Sequence, residues 1–335
     1  MNKRISKYST ATVIYAAFAI YLYQPHFRHF DRLDYLLPLN LCLAASGCYV
    51  LSRRWVAGFA GSFFAGAVYG FGPFILGLAK FHPTAGLLAA TIPWLFCPAV
   101  FGPKFKWRWL RVPLSCLPFV AILLFFQTSA EFHLFAIPVQ TRLNSADLAG
   151  LLVPLVAAKR NLTLIGFYHI PIAALIIGFS MLIAARRLGV IIIFSIGLIL
   201  SFCNSLFNIS PVIWLVIPVL CCSVLIGAGV QGLVSSGFAD RKWVLATTVI
   251  MAACSVVTLL EAVKYTESFA GLGTGYAKLF TESTKIYLLG AIATGIIFFM
   301  ARAKSHIHWL RLAILCSAMA VDIFLGARFI VDKIV

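Results

Sequence analysis

Long apolar runs separated by short polar connections fill the chain from end to end. The runs are residues 9–24, 33–51, 55–79, 84–102, 110–127, 162–185, 188–207, 211–234, 243–262, 285–301 and 309–327. Most are near the ~20 residues a helix needs to cross the hydrocarbon core of a bilayer. The pattern predicts an all-α fold: a polytopic transmembrane helical bundle of about eleven spans, forming one integral membrane domain over residues 1–335. The first run follows the basic segment Met1–Lys7 and ends in Tyr21-Leu-Tyr-Gln-Pro25. No small-x-small cleavage site follows it, so an uncleaved span is expected rather than a signal peptide.

Composition agrees with this pattern. Of 335 residues, 62% are hydrophobic and 11% charged, against roughly 25% charged in soluble domains. The 29 Phe, 11 Tyr and 7 Trp suit lipid-facing walls and interfacial belts.

The net charge of +17 lies in short clusters between apolar runs, and no polar segment is long enough for a basic domain. Nucleic acid is therefore excluded as a partner; membrane lipids are the expected one. The clusters orient the bundle. With the N-terminus in the cytoplasm, the inner connections hold Lys3, Arg4 and Lys7, then Arg53 and Arg54, then Lys104, Lys106, Arg108 and Arg111. Further along they hold Arg186 and Arg187, Arg241 and Lys242, and Arg302, Lys304 and Arg311. The short outer connections hold only Arg28, Arg32 and Lys80. Every inner connection is basic, as the positive-inside rule requires. A bacterial inner (cytoplasmic) membrane is the expected location.

Two longer outer segments break the rhythm. Within 128–161, the stretch Leu148–Ala158 is too short to span, with Ser145 as N-cap and Lys159-Arg-Asn161 as its end. It predicts an interfacial or re-entrant helix on the outer face. Residues 263–284 include Gly271-Leu-Gly-Thr-Gly275 and predict a flexible loop.

Several motifs read as packing or anchoring. All nine cysteines fall in apolar runs and none forms C-x-x-C, so neither disulfides nor a zinc site is expected. Gly227-Ala-Gly-Val-Gln-Gly232 fits G-x-G-x-x-G. It has no strand before it and no acid near position 252, so it reads as small-residue helix packing. His26/His29 and His306/His308 fall on opposite faces and cannot share a metal. Lys104, Lys106 and Trp107-Arg-Trp-Leu-Arg111 form an interfacial anchor. No metal and no cofactor is expected.

Two features resist a purely architectural explanation. The third run carries Ser62, Gly66 and Gly70 at four-residue spacing, then Gly72-Pro73. The stripe admits a close helix neighbour, and Gly72-Pro73 predicts a helix break that frees backbone groups inside the membrane. The runs also contain Asn40, His169, Asn204, Glu261 and Asp322. Polar side chains there are expensive and default to functional candidates. All five are expected in the outer half of the bilayer, as a substrate-binding set. Asp322 has only apolar neighbours one turn away on its own helix: Ala318, Met319, Leu325 and Gly326. Its partner must come from elsewhere, and His169 is the first choice. Glu261, beside Lys264, fits the membrane edge.

G-x-S-x-G, H-E-x-x-H, histidine boxes and a Walker A loop are all missing. These observations favour a transport or permease-like protein with no nucleotide drive, binding a small molecule in the outer half of the bundle. The alternatives are a membrane-embedded enzyme acting on a lipid or lipid-linked substrate from the outer face, and a structural subunit of a membrane complex.

Overall fold

The computed structural model describes residues 2–31, 34–101, 108–130, 148–154, 164–206, 209–237, 240–268, 274–303 and 307–334. Among these, all regular elements are helical, with one isolated bridge between Leu206 and Ile209. Seven helices are long and apolar enough to cross a membrane, and three shorter apolar helices accompany them. The chain is an integral membrane protein by this measure.

The helices are α1 (Asn2–Tyr23), α2 (Leu36–Ser52), α3 (Phe59–Gly70), α4 (Pro73–Phe81), α5 (Pro83–Phe101), α6 (Arg111–Ala130) and α7 (Ala149–Leu152). They continue as α8 (His169–Ala184), α9 (Leu188–Phe202), α10 (Val216–Ser235), α11 (Arg241–Ser268), α12 (Thr274–Arg302) and α13 (His308–Ile334). A 3-10 turn over Pro211–Leu215 leads into α10.

The centre is built on small residues. α2 lies against α3 so closely that a Cβ on Gly70 would sit 2.6 Å from the Ala45 Cβ and 2.7 Å from the Leu41 carbonyl oxygen. α3 and α10 cross where Gly61 faces Gly227, each Cα 's missing Cβ being 2.6 Å from the other residue's carbonyl oxygen. Gly229, in the same G-x-G-x-x-G stretch, takes the Ala174 carbonyl of α8 against its Cα. These are helix contacts of the kind that hold membrane bundles together. α11 and α12 pair with each other as a hairpin. Their outward residues, such as Leu260, Leu288 and Phe299, are exposed, as a lipid-facing wall would be.

The third apolar run is broken where Gly72-Pro73 predicts. α3 stops at Gly70, Gly72 is extended (φ −71°, ψ 156°), and α4 restarts on Pro73. Proline lacks the N–H that would have reached back to the Tyr69 carbonyl, so the ladder cannot continue through it.

Four expectations need correction. The sixth run is not helical throughout: residues 164–168 have no regular structure and α8 begins at His169. Most of 263–284 is helix rather than loop, because α11 runs on to Ser268 and α12 starts at Thr274. Charge pairs one turn apart, Glu261–Lys264 and Glu282–Lys285, and stacking of Tyr265 on Tyr276 and Phe280, support helix beyond the apolar stretch. Arg311 lies within α13 rather than in a connection, buried, and donates to the Ser236 carbonyl at 2.5 Å. Finally, the last helix does not end at 327: α13 reaches Ile334, with Asp322 about 21 Å from its first residue at 1.5 Å per residue. In the 128–161 segment, residues 128–130 and 148–154 are described, with α7 in the latter; Ser145 and 155–161 lie outside the described residues.

Candidate functional site

The start of α8 explains the site. Gly166 has φ +144°, a conformation that L side chains rarely adopt. A Cβ there would also collide with the Gly150 carbonyl of α7. This glycine lets the extended stretch 164–168 slip between α7 and α4, where the Leu164 side chain lies against Gly77. All five of its residues are buried. Such backbone inside a membrane bundle is tolerated only when protein surrounds it.

The first N–H groups of a helix have no partner within it. Tyr168, the residue before α8, supplies no side-chain cap. Pro171 removes one of the orphan N–H groups outright. The Ile170 N–H is taken by a residue 152 positions away: it donates to Asp322 Oδ2 at 2.6 Å. Asp322 thus caps α8 from α13, at the end where the helix dipole favours negative charge.

The same carboxylate holds His169. Asp322 Oδ1 lies 3.1 Å from His169 Nδ1, and His169 Nε2 lies 3.0 Å from Ser283 Oγ on α12. His169 is 3% and Asp322 1% exposed. An ionised carboxylate only accepts, so Nδ1 carries a proton. Ser283 can then donate to a bare Nε2 or accept from a protonated one. Tyr287, one turn further along α12, packs edge-on to the imidazole with ring centroids 4.9 Å apart. Its hydroxyl donates to the Leu152 carbonyl of α7 at 2.5 Å.

Tyr168 ties this cluster to the break between α3 and α4. Its hydroxyl donates to the Phe71 carbonyl at 2.7 Å. Its ring lies against the Cα of Gly326, one turn beyond Asp322, where a Cβ would collide with it. The two irregular stretches, 71–72 and 164–168, are therefore bonded to each other beside the His169–Asp322 pair.

The other candidate residues do not join. Asn40 is fully buried on α2, and neither amide atom has a hydrogen-bond partner among the described residues. Asn204 lies just past α9 and is exposed. Glu261 is half-buried on α11 and faces Lys264 at 3.9 Å. Ser283 and Tyr287 were not among the candidates. Ser283 sits in Thr281-Glu-Ser-Thr-Lys285, whose polarity reads as loop. The aromatic spacing Tyr276–Phe280 and the Glu282–Lys285 pair were the available signals that helix continues there.

Among the described residues, no group of three or more His, Cys, Asp or Glu could hold a metal ion. His26 pairs instead with Asp332 at 3.0 Å, and His308 Nδ1 lies 3.3 Å from the Val234 carbonyl. Between α4 and α5, partial burial lowers the pKa of His82 below the ordinary histidine value.

Comparison with protein-family models, with curated proteins and with solved structures returns no match.

Proposed function

We propose that the protein is a permease-like membrane transporter whose binding region lies where its two interrupted stretches meet. The observation that carries this reading is the Tyr168–Phe71 hydrogen bond beside the buried His169–Asp322–Ser283 cluster. Breaks in membrane helices expose backbone dipoles that can bind a polar solute, and transporters rock or gate around such points. A buried carboxylate and imidazole inside a membrane bundle are costly, and beyond capping α8 they place two ionisable groups beside that break. The bundle has eleven spans in this reading, with α3 and α4 together forming one. Its N-terminus is cytoplasmic, in a bacterial inner membrane, with the basic connections facing inward.

The test uses single cysteines in a background freed of the nine native ones, with membrane-impermeant thiol reagents applied to each side. Cysteines in 102–107 and in 269–273 should label from opposite sides. Ser283→Cys should label from both sides, because transport requires the site to open to each in turn. A Ser283→Cys protein that resists reagent from both faces would sink the reading.

One observation favours the enzyme alternative. An apolar groove of about 420 Å³ between α1, α3 and α13 is lined by Ile14, Phe18, Phe63, Val321 and Phe324, and an acyl chain fits its chemistry. Val321 and Ile323, both at the groove, flank Asp322 in sequence. A photoactivatable acyl chain entering from lipid would then crosslink to Val321 or Phe324, while Ser283→Cys stayed closed to water.

A further inference from the structure

We propose that His169 is a reversible proton-binding site, with Asp322 as its fixed counter-ion and Ser283 as the partner that adapts to either state. Its role as the coupling site for transport rests on the permease reading; the binding of the proton does not.

Asp322 is engaged at both oxygens. Its two oxygens accept from two different donors, Ile170 N–H and His169 Nδ1, and it sits at the positive end of α8. The proton that can come and go is therefore the one on His169 Nε2. A water-borne proton adds to the Nε2 lone pair, and the local charge rises from −1 to zero. The Ser283 hydroxyl turns from donor to acceptor, so no hydrogen bond is lost in either state. Few partners could do this: a backbone carbonyl would favour only the protonated ring, and a backbone N–H only the neutral one.

The surroundings leave this function to His169. The groups facing it from the packed elements are Asp322 on α13, Ser283 and Tyr287 on α12, and the adjacent Tyr168; Cys254 of α11 packs against the apolar cluster that contains Tyr287. Both tyrosine hydroxyls are committed to backbone carbonyls, at Phe71 and Leu152. Among the described residues, no lysine or arginine bonds to Asp322 or His169. A carboxylate in this buried place has only the α8 dipole and His169 to offset its charge. Protonating the ring makes the cluster electrically neutral, and a neutral cluster moves through a low-dielectric interior at far smaller expense than an anionic one.

The experiment follows imidazole nitrogen chemical shifts in the full-length protein, labelled at histidine and held in lipid nanodiscs. The His169 resonance is assigned by its loss in His169→Gln. Its Nε2 signal should change between protonated and bare forms as pH is varied across the range in which the protein stays folded. Ser283→Ala should move the midpoint down by about one to two units, since the protonated ring loses a charge-assisted hydrogen bond. Ser283→Thr, which restores the hydroxyl, should return it. A His169 locked in one form across that range overturns the proposal, as does a Ser283→Ala midpoint equal to that of the parent. Both readouts precede any transport assay. A titrating His169 in a protein whose Ser283→Cys never labels keeps the proton site and removes the permease reading.

Discussion

α13 carries two histidine–aspartate pairs, ten residues apart, and they are nearly identical in length. His26 reaches Asp332 at 3.0 Å and His169 reaches Asp322 at 3.1 Å. Everything else about them differs. The His26 and Asp332 side chains are 21% and 43% exposed, and the second Asp332 oxygen accepts from Arg328 at 2.9 Å. The His169 and Asp322 side chains are 4% and 0% exposed, and the second Asp322 oxygen accepts from a helix start. At the C-terminal end of α13, water and a cation can replace whatever is removed. At its midpoint nothing can. Bond length therefore says little about what such a pair contributes; the ease of replacing a lost partner decides it.

The comparison is open to direct attack. Asp322→Ala should have the largest effect. It strands a histidine and an uncapped helix start in the interior, a loss of about 3 to 5 kcal/mol by the precedent of broken buried pairs. The thermal unfolding midpoint in detergent should fall steeply, or the protein should fail to purify as a single species. Gly326→Ala comes next. The added methyl meets the Tyr168 ring, and overpacking of this kind costs about 1 to 3 kcal/mol. Loss of the Tyr168–Phe71 bond would follow, readable as faster hydrogen exchange around 71–76. Asp332→Asn should do least, below about 1 kcal/mol and less still in high salt. An Asp332→Asn protein as damaged as the Asp322→Ala one would end the distinction between the two pairs.

Legibility in the sequence followed the same division. The break at Gly72-Pro73 was readable because it is local chemistry: a missing N–H stops a ladder wherever it stands. The need of Asp322 for a distant partner was readable from its apolar neighbours one turn away. The start of α8 was not. Residues 164–168 are apolar, and hydropathy does not distinguish a buried irregular stretch from a helix. Gly166 was the one local sign. Ser283 was hidden for the opposite reason, since a polar stretch that continues a helix looks like a loop when only its polarity is counted. Asn40, Asn204 and Glu261 resembled His169 and Asp322 in kind, and only their places in the bundle separate them.

By itself, the sequence determined the solvent. Apolar runs of membrane length, with most cations clustered at or between their ends, point to a membrane, because transfer free energy sums along the chain without regard to its path. It also determined that one run must break and that one acid must find a partner. Only the tertiary structure decided which partner. His169 meets Asp322 because α8 begins at that residue, because Gly166 admits the chain leading to it, and because Gly326 lets Tyr168 lie flat against α13. Those are matters of where helices start and how they are turned. A hydrogen bond depends on fractions of an ångström, and an average of hydropathy carries no such information.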